Sequence, residues 1–109
     1  MSFSTYKGMW LMAMFDLPVD SKEHRRAYAQ FRKALLRDGF CMLQFSVYAR
    51  YCVSEEMSVV HRKVIHCALP DDGQVRVVTL TDHQFGKMEV LAGKTRQPTE
   101  QAPVQLEFL

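Results

Sequence analysis

The sequence predicts an α+β fold, a ferredoxin-like βαββαβ sandwich with an added C-terminal strand. Three observations predict it. Trp10 to Asp16, WLMAMFD, is an apolar run closed by an aspartate and a Leu17-Pro18 turn, as expected of a central strand buried on both faces. Two later stretches repeat apolar residues at helical spacing, the first preceded by Asp20 and the second by Ser54. Strand-like runs lie between and after them, and the order β-α-β-β-α-β places two helices on one face of a four-stranded antiparallel sheet.

Met1 to Gly8 is a polar lead-in to the first strand. Asp20 and Glu23 have the spacing of a capping box, and a helix follows from about Ser21 to Asp38. Ala27, Tyr28, Phe31, Ala34 and Leu35 form its core stripe, and Gly39 suits a left-handed cap at its end. Phe40 to Tyr48 reads as one strand with Cys41, Leu43, Phe45 and Val47 on its apolar face. A tight turn or bulge near Ala49-Arg50 then leads to a third strand at Tyr51 to Val53. Ser54 caps a second helix whose first turn carries Glu55 and Glu56, where the helix dipole favours acids. Its expected buried stripe is Met57, Val60, Val64, Cys67 and Ala68. Leu69 to Gly73 is a dense stop signal. Gln74 to Leu80 is a fourth strand in which Val75, Val77 and Thr79 alternate with Arg76, Val78 and Leu80. Thr81 to Gly86 reads as a turn or single helical turn, and Met88 to Leu91 as a short strand. The organisation is a ferredoxin-like domain over 1–92, a polar linker over 93–103 with two prolines, and a strand-like tail, Val104 to Leu109. Such a tail is free to add to a sheet edge of its own chain or a partner's.

The 109 residues make one domain, able to bury roughly two thirds of its unfolded surface. A hydrophobic content of 48% argues against disorder. Cys41, Cys52 and Cys67 form no CxxC pair and read as reduced thiols, small buried hydrophobes of a cytoplasmic protein. The run ending at Phe15 is too short to cross a membrane. The formal net charge of +2 does not announce a nucleic-acid binder, but its distribution is uneven. Residues 22–37 hold Lys22, Arg25, Arg26, Arg32, Lys33 and Arg37 against one acid, Glu23. That face suits phosphate, through the planar forks of Arg25, Arg26 and Arg32 and the charge of Lys33. An ordinary solvated helix face is the alternative. Arg25-Arg26 at the positive end of the helix weigh against it, since they are disfavoured there without an anion.

No GxSxG, Walker loop, HExxH or glycine-rich phosphate cradle is present. His24, His61, His66 and His83 fall on helices or in a turn and read as surface or packing residues. Asp16 is left as a lone carboxylate at a strand end. As a plain turn residue before Pro18 it needs no function. As a Mg²⁺ ligand, one carboxylate is too few, but a two-fold dimer supplies two, with a nucleic-acid phosphate between them.

Four features in order and spacing carry a resemblance: the apolar strand ending in Asp16, Ser21 ahead of Arg25-Arg26, the strand Gln44 to Tyr48, and the segment Val75 to Phe85. Over about residues 8 to 91 they resemble the second core CRISPR-associated protein family, the small partner of the CRISPR integrase. The last segment is most similar to versions found with Cas9-type systems. The resemblance implies a ferredoxin-like homodimer. It implies that Asp16 is the catalytic residue and the Mg²⁺ or Mn²⁺ ligand of an endonuclease acting on single-stranded RNA or double-stranded DNA. It also implies an architectural role in spacer acquisition. There the dimer bridges two integrase dimers, holds duplex DNA on basic side chains such as Arg25 and Arg26, and docks through its C-terminal strand, here Val104, Gln105, Leu106, Glu107 and Phe108. The alternatives are a scaffold in which Asp16 is catalytically idle, or a toxin-like ribonuclease on the same fold.

Overall fold

The fold comes from a computed structural model, which describes residues 8–103. The elements are β1 (Met9–Asp16), α1 (Lys22–Arg37), β2 (Cys41–Gln44), β3 (Val47–Cys52), α2 (Glu55–Ala68), β4 (Gln74–Thr81), α3 (Asp82–Gly86), β5 (Val90–Ala92) and β6 (Thr95–Gln97). Four strands form an antiparallel sheet in the order β2-β3-β1-β4, the ferredoxin-like arrangement expected from the sequence. β1 is central, and Trp10, Leu11, Met12 and Ala13 are all buried, two on each face.

Both long helices cover one face. Leu11, Ala13 and Phe15 of β1 pack there with Phe31 and Leu35 of α1, Ile65 of α2, and Tyr48 and Cys52 of β3. Burying a side chain of Phe31's size contributes about 1.5–3 kcal/mol. The other face carries Trp10, Met12 and Met14, with Ala49, Val47 and Leu80 beside them. Here α3 covers the end near Trp10. Phe85 stacks on the Trp10 indole at 4.0 Å, and the indole N–H donates to Asp82 Oδ1 at 2.7 Å. Thr81 and Gln84 close a capping box on α3.

Helix α1 is capped by Ser21, one residue later than expected. Ser21 Oγ accepts from the His24 N–H, whereas the Asp20 carboxylate is taken by the His24 ring, so the Asp20–Glu23 box does not form. Gly39 has φ of +91°, as expected of a left-handed cap, and the Arg50 guanidinium lies against it while donating to the Asp38 carbonyl.

Four local expectations are corrected. The hairpin turns at Phe45-Ser46 rather than near Ala49-Arg50, with a bulge between Met42 and Gln44. Ser46 adopts φ of +64°, a strained conformation for a residue with a Cβ, and nothing in QFSVY signals it. The turn makes Cys41 and Phe45 exposed and buries Tyr48 and Ala49 instead. The phase of α2 also differs: Ser58, His61 and Ile65 face inward, and Met57, Val60 and Cys67 are exposed. The inward polar groups are satisfied, Ser58 Oγ donating to the Glu55 carbonyl and His61 Nδ1 bonding Asp38 Oδ2 at 2.8 Å. Of the three free cysteines only Cys52 is buried. Finally, Thr95–Gln97, within the expected linker, pairs with β5 as a small hairpin turned by Gly93 at φ +65°. The expected tail strand, Val104 to Leu109, lies outside the described residues. Among the described residues no helix is long and apolar enough to cross a membrane.

Candidate active site and nucleic-acid interface

Asp16 is the last residue of β1 and is exposed. Alternation along the strand sets its direction: Phe15 enters the helix-side core, so Asp16 lies with Met14 on the opposite face. The antiparallel register pairs Asp16 with Gln74 and Met14 with Arg76. These residues, with Phe15, line a shallow hollow of about 200 Å³. Arg76 shares this hollow with Asp16, a cation that sequence reasoning treated only as one position in an alternating strand. The antiparallel register was the signal that could have found it.

The backbone of this strand end is fastened by its neighbours. Gly73, at φ +97°, passes so close that a Cβ there would lie 2.8 Å from the Asp16 carbonyl oxygen and 2.6 Å from Leu17 Cδ2. The loop carrying Gly73 is tied to α1 by His24, whose Nε2 meets Asp72 Oδ2 at 2.9 Å while Nδ1 bonds Asp20 Oδ1. The hydrogen bond to Asp20, then that to Asp72, raises the His24 pKa, and the same bond lowers that of Asp20. His24 is therefore a clasp between two loops flanking the strand end rather than a plain surface histidine. His61 is packed, as expected, and His66 and His83 are exposed.

On the other side of β1, the hairpin tip is bonded to the strand, the Phe15 N–H donating to the Ser46 carbonyl at 3.0 Å. Arg25, Arg26, Arg32 and Lys33 are all exposed on α1. Arg25 Nη1 also donates to the Val19 carbonyl at 3.2 Å. Helical spacing sets Arg26 and Lys33 farthest from the sheet, with Arg25 and Arg32 along the border next to Tyr28. The structure does not bring this basic face and Asp16 together within one chain, since the helix layer covers the face away from the carboxylate. Val104 to Phe108 lie outside the described residues.

Among the described residues no group of three or more His, Cys, Asp or Glu side chains could hold a metal ion. Within one chain the donors near Asp16 are its own carboxylate and the Gln74 amide oxygen, with Arg76 opposing a cation. That set does not fit Mg²⁺ by itself. It fits only where a second copy doubles the carboxylates and leaves room for waters and phosphate oxygens.

Comparison with known proteins places these features in context. A family model described as CRISPR associated protein Cas2 matches residues 9–88. A protein of Parvibaculum lavamentivorans named CRISPR-associated endoribonuclease Cas2 is 54% identical over 100 residues, covering 92% of this chain and 99% of its own. Proteins of the same name from Flavobacterium psychrophilum and Paracidovorax avenae are 44% and 42% identical. The former covers 94% of this chain and 90% of its own, the latter 94% and 95%.

Proposed function

The chain belongs to the Cas2 family of CRISPR-associated proteins, and from that premise we propose that it is a metal-dependent endonuclease. It cuts nucleic-acid phosphodiesters with Asp16 from two copies related by a two-fold axis. The relatives' names, which specify an endoribonuclease, support nuclease chemistry. The observation that carries the two-copy reading is the setting of Asp16. It is exposed on the sheet face that α1 and α2 leave free, at the end away from α3. Beside it runs a groove of about 440 Å³ between Met12, Met14 and Leu43 of this face and the chain's own residues 88–91 and Glu100, which cover part of it. The strand end that carries Asp16 is left open to a second copy, and two-fold pairing there brings two carboxylates toward one axis.

In that dimer the two Asp16 carboxylates would hold Mg²⁺ or Mn²⁺, which would supply an activated water and offset charge on the scissile phosphate. Arg76 offers its guanidinium fork to the phosphate oxygens and offsets their charge. Gly73 and the His24 clasp fix the backbone that aims Asp16. The two like charges would repel across the axis, so a cation held between them would also favour the dimer.

The test is cleavage of labelled single-stranded RNA and double-stranded DNA across Mg²⁺ and Mn²⁺ titrations, with wild type and Asp16→Ala prepared side by side. Metal-dependent cutting that disappears in the variant is the expected result. Equal cutting by both proteins, or none by either, overturns the assignment.

A second reading draws on the separation of the basic helix from Asp16. Here the dimer is a scaffold of spacer acquisition. It holds duplex DNA on Arg25, Arg26, Arg32 and Lys33 and bridges integrase dimers, with Val104, Gln105, Leu106, Glu107 and Phe108 adding as a strand to the integrase. The two readings share one dimer and differ in which residues they need, Asp16 in the first and the basic helix with residues 104–108 in the second.

A further inference from the structure

Phe45 sits at the tip of the β2–β3 hairpin and is 76% exposed, more than any other large apolar side chain among the described residues. A phenyl ring in that position contributes little to the core, yet the backbone that presents it is held tightly. Ser46 is kept at φ +64°. Its carbonyl accepts from the Phe15 N–H, and its hydroxyl bonds the Tyr28 hydroxyl at 3.0 Å. The Tyr28 ring stacks on one face of Phe45, with centroids 5.9 Å apart and planes 19° apart. Tyr28 in turn packs edge-on against Phe15 at 5.8 Å, and Phe15 against Phe31 at 5.0 Å. A ladder of aromatic rings thus runs from the core to the surface and supports Phe45 from beneath. Strain kept in a turn that displays an exposed ring points to a task for that ring.

The charges beside it indicate what it meets. Arg25 and Arg32 precede and follow Tyr28 by three and four residues, which makes them its neighbours on the α1 surface, and both are exposed. An exposed apolar ring, stacked on a tyrosine that has an arginine on either side of it along the helix, matches a nucleotide, whose base stacks and whose phosphates carry negative charge; Arg25 reaches such a phosphate on releasing the Val19 carbonyl. Bases inside a duplex have both faces covered by neighbouring pairs, so a ring of this kind favours the unpaired bases of single strands over duplex interiors.

We propose that Phe45, backed by Tyr28, is a stacking platform for one unpaired base of a single-stranded nucleic acid, with Arg25 and Arg32 receiving its flanking phosphates. The inference deepens the nuclease reading and rests on it for the identity of the ligand as nucleic acid. It adds the feature by which single strands are told from duplexes. Nothing in the platform touches Asp16, so it acts in binding and positioning rather than in bond breaking.

The test uses the full chain in EDTA, with a single-stranded RNA carrying 2-aminopurine at one position and a duplex of the same length. Wild type should quench 2-aminopurine on binding. Phe45→Ala should weaken single-strand binding about 5- to 100-fold and remove the quenching, leaving duplex binding unchanged. Phe45→Trp should restore both. Phe45→Leu keeps apolar bulk without a π face and should behave like Phe45→Ala. Single-strand affinity and quenching retained in Phe45→Ala overturn the platform. So does Phe45→Leu binding and quenching as well as wild type, since apolar bulk without a π face would then suffice. The readout does not depend on cleavage. A chain that never cuts but quenches through Phe45 supports the platform while the nuclease reading falls. One that cuts through Asp16 without quenching overturns the platform alone.

Discussion

Helix α2 has apolar residues on two sides, and only one side is the core. Truncating Ile65 and Val60 separately distinguishes them. Ile65 is 0% exposed and lies in the core cluster with Leu35 and Phe31. Ile65→Ala removes three carbons, a transfer loss of about 2.4 kcal/mol at about 0.8 kcal/mol each. The cavity left among Leu11, Phe31 and Leu35 adds to it, for a total of about 3–4 kcal/mol. In a domain of this size that lowers the melting temperature by more than about 12 °C. Val60 is 49% exposed, and Val60→Ala should change stability by less than about 0.5 kcal/mol. Urea denaturation of wild type and both variants at one protein concentration reads the difference, with unchanged m-values confirming that only stability moved. If Val60→Ala costs as much as Ile65→Ala, the inward face of α2 is the stripe expected from the sequence, and the packing described above is wrong.

The remaining predictions concern charge. His24 has a raised pKa through its bonds to Asp20 and Asp72, so its clasp contributes fully below the ordinary value of 6.5 and is lost as pH rises through the raised one. Asp20 has a lowered pKa, so its share is present above 3.8 and is lost as pH falls through the lowered value. Denaturation of wild type and His24→Gln across about pH 5.5 to 9 should show the wild-type advantage shrinking toward the alkaline end; a constant difference between the two proteins refutes the clasp. On the basic face, Arg25→Ala with Arg26→Ala should weaken duplex binding and flatten its logarithmic salt dependence by about one unit for each phosphate that is no longer neutralised. An unchanged slope makes that face solvated surface only and removes the support for the scaffold.

What was legible in the sequence were the features with a strong local cause. The uninterrupted run into Asp16 marked a central strand because burial on both faces leaves no polar alternation to read. Ser54 and Gly39 marked helix ends because a cap bond and a left-handed φ each favour particular residues. The misplaced hairpin turn has the opposite origin. Ser46 holds φ +64° through the Tyr28 hydroxyl and the Phe15 N–H, partners distant in sequence, so QFSVY carries no local turn signal. The phase of α2 was misread for a related reason. Ser58 and His61 are tolerated inside because the Glu55 carbonyl and the Asp38 carboxylate satisfy them, and hydrophobic periodicity does not record such bonds. At the candidate site Asp16 was legible and Arg76 was not, since their proximity depends on the pairing of β1 with β4.

That pairing determines what the strand end can do. Side chains alternate with a period of two, so Phe15 and Asp16 occupy opposite faces, and a slip of one residue would exchange them. Asp16 would then point into the layer holding Phe31 and Tyr48, an unpaired buried carboxylate, and Phe15 would leave the ring ladder that supports Tyr28. The register is held by apolar pairs such as Met12 with Val78 and Ala13 with Val77, and by Gly73, where a side chain would strike Leu17. The same alternation therefore divides the proposed tasks between two faces. One presents an exposed carboxylate at the strand end, where a symmetric partner can add a second. The other directs its aromatic residues through Phe15 and Tyr28 to Phe45, where an unpaired base can lie. Under this division a change confined to the hairpin tip alters single-strand selection without altering Asp16, and a change at Asp16 leaves base stacking intact.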